Sequence, residues 1–113
     1  MDKSVIKFFI VEDDNAFRSI LKDILRKVEE GFLQDGVSFE IESFFSIAEA
    51  QTRIYTMPDI VLLDYYIVDD NFNQVTSDKL LQDIIELDKN IKVIIVSGEE
   101  KPDIVNNLKA LGA

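Results

Sequence analysis

Three short stretches of the chain end an apolar run in an oxygen-bearing side chain. Val11 is followed by Glu12, Asp13 and Asp14, Leu63 by Asp64, and Val96 by Ser97 and Gly98. Carboxylates that meet in one crevice repel each other and raise one another's pKa, so such a cluster calls for a cation. Oxygen-only donors suit Mg²⁺, which keeps several waters and takes one or two carboxylates together with a phosphate oxygen. The chain has no cysteine and no histidine. That removes thiolate metal sites, disulfides and the commonest general base, and with them most hydrolase and metalloprotease chemistry.

For these residues to meet, the runs before them must lie side by side. Ile6 to Val11 is a nearly continuous apolar run, as expected of a strand covered on both faces. After it Phe17, Ile20, Leu21, Ile24 and Val28 recur at helical spacing. Beyond the Asp35-Gly36 turn, Val37, Phe39 and Ile41 alternate with polar residues, which predicts a second strand with one wet face, near a sheet edge. Ser46 and Glu49 have capping-box spacing and open a second helix through Ala50 to Ile54, closed ahead of Pro58. Ile60 to Leu63 is the third strand. A polar loop then leads to a helix marked by Leu80, Leu81, Ile84, Ile85 and Leu87. Val93 to Val96 is the fourth strand, and Pro102 with Asp103 starts a fourth helix. Strict alternation predicts a doubly wound α/β fold with a parallel sheet, whose ligands bind beyond the carboxyl ends of the strands.

Each motif also has a plain structural reading. Asp13 and Asp14 suit capping of the first helix; Asp64 suits an Asx turn, and Ser97-Gly98 a simple turn. Their shared position at one end of one sheet favours a site. Acidic residues outnumber basic ones by 22 to 12, for a formal charge of −10. This field argues against direct nucleic-acid binding and against anionic membrane surfaces. The N-terminal MDKSVIKFF lacks a signal-peptide layout and no apolar run reaches the ~18 residues of a membrane span, so a cytoplasmic protein is expected.

The segments FFIVEDDNAFRSIL, PDIVLLDYY and IKVIIVSGE resemble the first, third and fourth strand regions of response-regulator receiver domains, in the family's order and across essentially the whole chain. The resemblance implies a flavodoxin-like sheet of order 2-1-3-4, or 2-1-3-4-5 in a complete domain. It implies that Asp64 is the phosphoacceptor and that Glu12 and Asp13 organise Mg²⁺, Asp13 ahead of Glu12 as direct ligand. The main-chain carbonyl of Tyr66 would complete the protein's share of the metal shell, and Ser97 would be the switch hydroxyl, signalling through the side of the fourth helix. Tyr66 and Glu99, each two residues beyond a site residue, would modulate dephosphorylation. The implied donor is a sensor histidine kinase or a histidine phosphotransfer protein, and the recipient of the signal a downstream effector.

Two departures from the family stand out. The text stops at Leu111-Gly112-Ala113, before the family's fifth strand, its lysine and its fifth helix. Lys101 and Lys109 stand at other places, so this chain offers no catalytic lysine. Residues 1–113 would then be a receiver domain truncated after its fourth helix, with its fourth strand an exposed edge open to self-association. The loop DYYIVDDNFNQVTSDKLL is also several residues longer than usual and lacks the family's proline and glycine. Asp69 and Asp70 are expected to be solvated there, the alternative being that they shape partner choice or add to the metal site. A phosphorylation-silent receiver-like scaffold is the alternative. An aspartate-nucleophile phosphatase needs an acid where Tyr66 stands, and a flavodoxin relative needs a phosphate loop where Glu12-Asp13-Asp14 stands.

Overall fold

The computed structural model describes residues 4–68 and 71–96. The sequence readings at Ser97, Glu99, Lys101, Lys109 and the fourth helix, and at Asp69 and Asp70, lie outside the described residues.

Four strands, β1 (Ser4–Val11), β2 (Val37–Phe44), β3 (Ile60–Leu63) and β6 (Lys92–Ile95), form a parallel sheet in the order β2-β1-β3-β6. The expected α/β class and order 2-1-3-4 hold for this sheet, with the predicted fourth strand becoming the sixth in chain order. Helix α1 (Asn15–Glu30) covers one face. Helices α2 (Ile47–Gln51) and α3 (Asp78–Leu87) cover the other.

The continuous apolar runs divide between two cores because successive side chains of a strand point to opposite faces. Phe8 and Ile10 of β1 and Leu62 of β3 pack with Leu21 and Leu25 of α1 and Phe39 of β2. Phe9, Val11, Val61, Leu63 and Val93 pack with Ala50 of α2 and Leu80, Leu81 and Ile84 of α3. Both faces of β1 and β3 are thereby dry, which is why their sequence reads as a solid apolar block rather than as alternation. β2, with its wet face, lies at the sheet edge as its alternation predicts.

Several boundaries differ from the expectation, the last strand among them, which runs Lys92–Ile95 and not Val93 to Val96. β1 begins at Ser4, because parallel pairing with Val37 extends the ladder beyond the apolar run. The second helix stops at Gln51 instead of Ile54, and Ile54–Thr56 form a separate 3₁₀ turn that ends on Met57 at φ 61°. Its start is as predicted: Ser46 Oγ accepts from the Glu49 N–H at 3.1 Å. The largest difference is the loop after β3, which contains a two-stranded antiparallel hairpin, β4 (Tyr66–Val68) with β5 (Gln74–Thr76). At the Asp35-Gly36 turn, Gly36 takes φ 76°, a left-handed conformation that a side chain would strain.

Among the described residues, no helix is long and apolar enough to cross a membrane.

Candidate functional site

The site begins with strand register. Val11 of β1 pairs with Leu63 of β3, and the Asp64 N–H donates to the Val11 carbonyl at 3.0 Å. The residues immediately beyond, Glu12 and Asp64, therefore leave the sheet together at its carboxyl edge. Asp13 joins them, and one carboxylate oxygen from each of the three lies within 4.8 Å of the others. Glu12 is buried, while Asp13 and Asp64 are half-buried.

The three acidic residues that follow β1 do different work. Asp14 is the N-cap of α1, its Oδ1 accepting from Ala16 N–H at 2.9 Å and Phe17 N–H at 3.1 Å. Glu12 Oε1 accepts from Asp14 N–H at 3.1 Å, which turns its carboxyl group inward. Asp13 does not cap the helix. Its Oδ2 accepts from the Val68 N–H at 3.0 Å, a contact with the hairpin 55 residues along the chain. The capping reading thus holds for Asp14 and fails for Asp13. Arg18 reaches back from α1, donating from Nη1 to the Glu12 carbonyl at 2.7 Å, so a guanidinium braces the backbone of the acidic loop.

Burial pushes the Glu12 carboxyl up to about 8, with the Asp64 charge adding to the effect and the Asp14 N–H opposing it. Burial also raises Asp64; Asp13's charge adds to that rise, while hydrogen bonds from Glu12 and from the Tyr66 and Tyr65 amides oppose it. A proton held on Glu12 near neutral pH shows that this cluster carries more negative charge than its surroundings, Arg18 included, offset. The ion pairs among the described residues, Arg26–Glu29, Arg53–Glu42 and Lys79–Asp83, lie elsewhere. Three clustered oxygen donors with this deficit fit a hard divalent cation such as Mg²⁺.

The hairpin forms one wall. Ser77 N–H donates to the Tyr65 carbonyl at 2.9 Å in register with the Tyr66↔Thr76 pair. The Tyr65 carbonyl thus faces the β5 side, and alternation turns the Val68 N–H the other way, onto Asp13. The hairpin is fixed from below by Ile67, which is fully buried in the core under α3. Ser77, also fully buried, donates from Oγ to the Asp64 and Tyr65 carbonyls. Replacing Ser77→Ala leaves these carbonyls without that donor and is expected to cost about 1–3 kcal/mol of stability, measurable by urea denaturation. An unchanged denaturation midpoint would mean that the two bonds contribute nothing net.

The side chains of Tyr65 and Tyr66 meet edge to face, ring centroids 4.7 Å apart, and Tyr66 packs against the main core. Sequence reasoning brings the carboxylates of Glu12, Asp13 and Asp64 to one place, and the structure clusters those three. It missed the Val68 amide, Ser77 and the hairpin. A signal existed: Tyr66-Ile67-Val68 and Gln74-Val75-Thr76 are short β-prone triplets on either side of an Asp/Asn-rich turn.

A cavity of about 210 Å³ is lined by Met57, Pro58, Asp59, Asp88, Asn90 and Ile91. It lies at the amino ends of β3 and β6, away from the acidic cluster.

No protein-family model matches the chain, and no curated protein matches it. Solved structures do. A CheY-like receiver domain protein from Methanospirillum hungatei JF-1 matches at 22% identity and TM-score 0.67, over 97% of this chain and 78% of that one. A LuxR-family two-component response regulator from Aurantimonas sp. SI85-9A1 matches at 16% identity and TM-score 0.74, over 97% and 71%. The BeF3-activated DrrB receiver domain matches at 21% identity and TM-score 0.67, over 96% and 80%. The chain has the flavodoxin-like α/β fold shared by these receiver domains.

Proposed function

We propose that this chain is a signalling receiver that accepts a phosphoryl group on Asp64 with the help of Mg²⁺. The observation that carries the reading is the convergence of Glu12, Asp13 and Asp64 at the carboxyl edge of β1 and β3. In this fold that is where a ligand is expected. Asp64 is half-buried at the end of β3 and is the nucleophile. Its carboxylate oxygen attacks phosphorus as the bond to the donor breaks; from a phosphohistidine, the P–N bond is lost and the imidazole leaves.

Asp13 and Asp64, with the Tyr66 carbonyl and Glu12 behind them, are the residues that would hold Mg²⁺. When bound, the cation screens the charges of the carboxylates and of the incoming phosphoryl group. The Tyr65 and Tyr66 amides orient Asp64. The chain's own part is to hold the carboxylates close and to keep Glu12 dry. The donor would be a sensor histidine kinase or a histidine phosphotransfer protein, acting in the cytoplasm. Ser97 would report the phosphoryl group to a downstream effector, with Tyr66 and Glu99 setting how long it lasts. Among the described residues β6 is an outer strand of the sheet, and self-association through it would be a second mode of contact.

Intact-mass measurement after exposure to a small acyl phosphate tests the reading. The intact protein should gain one phosphoryl mass in Mg²⁺ and none in excess chelator. No adduct in either condition would favour a silent scaffold that uses the same fold for protein contact alone.

A further inference from the structure

The hairpin β4–β5 belongs to the same site, and the inference drawn from it rests on the proposed cation reading. Asp13 is held by a main-chain donor from a different part of the chain, the Val68 N–H at 3.0 Å. Val68 N–H is not needed for the hairpin's own ladder, because it points away from β5. The hairpin is also not a loose appendage, since Ile67 is fully buried and the Ser77 hydroxyl ties the carbonyls of Asp64 and Tyr65 together.

We propose that Val68 is a positioning residue for the cation: its amide fixes the Asp13 carboxylate, and the hairpin is tightened in return when the cation is bound. A carboxylate has two oxygens. With Oδ2 bonded to the Val68 amide, the Asp13 carboxylate is held in one orientation beside the cluster. Without that bond, Asp13 is a half-exposed side chain beside two other acids, and repulsion drives it outward. Hydrogen bonds of this kind to metal-binding carboxylates are worth about 10–100-fold in metal affinity. Linkage then requires the reciprocal effect. If closure of the hairpin strengthens cation binding by a given factor, cation binding favours the closed hairpin by the same factor.

Val68→Pro removes the amide hydrogen; it also fixes φ at position 68 and holds Ile67 in the extended region it already occupies. Val68 is 40% exposed, and proline is tolerated where the N–H faces away from the partner strand. By calorimetry, Mg²⁺ affinity of Val68→Pro should fall at least about tenfold below that of the wild type. In the wild type, saturating Mg²⁺ should slow hydrogen exchange of the Ile67 and Val75 amides by a similar factor, about tenfold. The exchange arm needs no variant and stands even where Val68→Pro folds poorly. Wild-type Mg²⁺ binding with unchanged exchange in the hairpin would overturn the inference alone. So would a folded Val68→Pro protein that binds Mg²⁺ as the wild type does. Absence of Mg²⁺ binding to the wild type would overturn the cation reading and this inference with it.

Discussion

Asp64→Asn protein is expected to carry no phosphoryl adduct after treatment with a small acyl phosphate in Mg²⁺, where the wild type gains one. Three carboxyl groups share the pocket, and the geometry gives them unequal roles. Glu12 is buried and turned toward the Asp14 amide. Asp13 is engaged by the Val68 amide. Asp64 stands at the end of β3, half-buried, with backbone amides behind it. The asparagine amide has the same shape but is not a nucleophile toward phosphorus, and it removes one negative charge from a crowded cluster. The variant should therefore fold at least as well as the wild type while losing the reaction completely. The same adduct mass on Asp64→Asn would place the acceptor on another side chain.

Without divalent cations, the protein should become less stable as pH rises from 5 to 8, by an amount that Glu12→Gln largely removes. The folded state raises the Glu12 carboxyl from 4.5 to about 8 because burial disfavours its charge. Between those two values the folded chain keeps a proton that the unfolded chain has released. Stability from this group is therefore complete below the lower value and is lost as pH climbs through the higher one. Asp64, also raised by burial, moves stability in the same direction. In a domain of this size each kcal/mol corresponds to roughly 4–8 °C of melting temperature, so the effect should be visible as several degrees.

Glutamine at position 12 keeps an oxygen for the Asp14 N–H and cannot ionise, so its profile should be much flatter. Mg²⁺ should restore the wild type at pH 8, since a cation takes over the role of the proton, and its affinity should rise with pH over the same interval. A metal-free melting temperature that rises toward pH 8, or a Glu12→Gln profile parallel to the wild type, would contradict the assignment of this burial cost to Glu12.

Much of this site is legible in the amino-acid order, because strands covered on both faces must be apolar throughout and the first charged residue after such a run marks its end. Val11-Glu12 and Leu63-Asp64 declare themselves in this way, and strict strand–helix alternation puts those ends on one side of a parallel sheet. The helix start at Ser46 and the turn at Gly36 are equally local, each requiring only a hydroxyl acceptor or a residue tolerant of positive φ.

Tertiary structure decided the rest. Register is a relation between distant segments, and only the pairing of Val11 with Leu63 brings Glu12 level with Asp64. Asp13 and Asp14 are the same residue type at adjacent positions. One caps α1 and the other faces the hairpin, because the chain leaves β1 at an angle that no local rule specifies. The hairpin itself was hidden for the same reason. Its strands are three residues each, too short for periodicity to register, and they are anchored by burying Ile67 in the core shared with α3. Burial likewise, and not residue type, makes Glu12 a weak acid, since the same carboxyl group in water would ionise at its ordinary value.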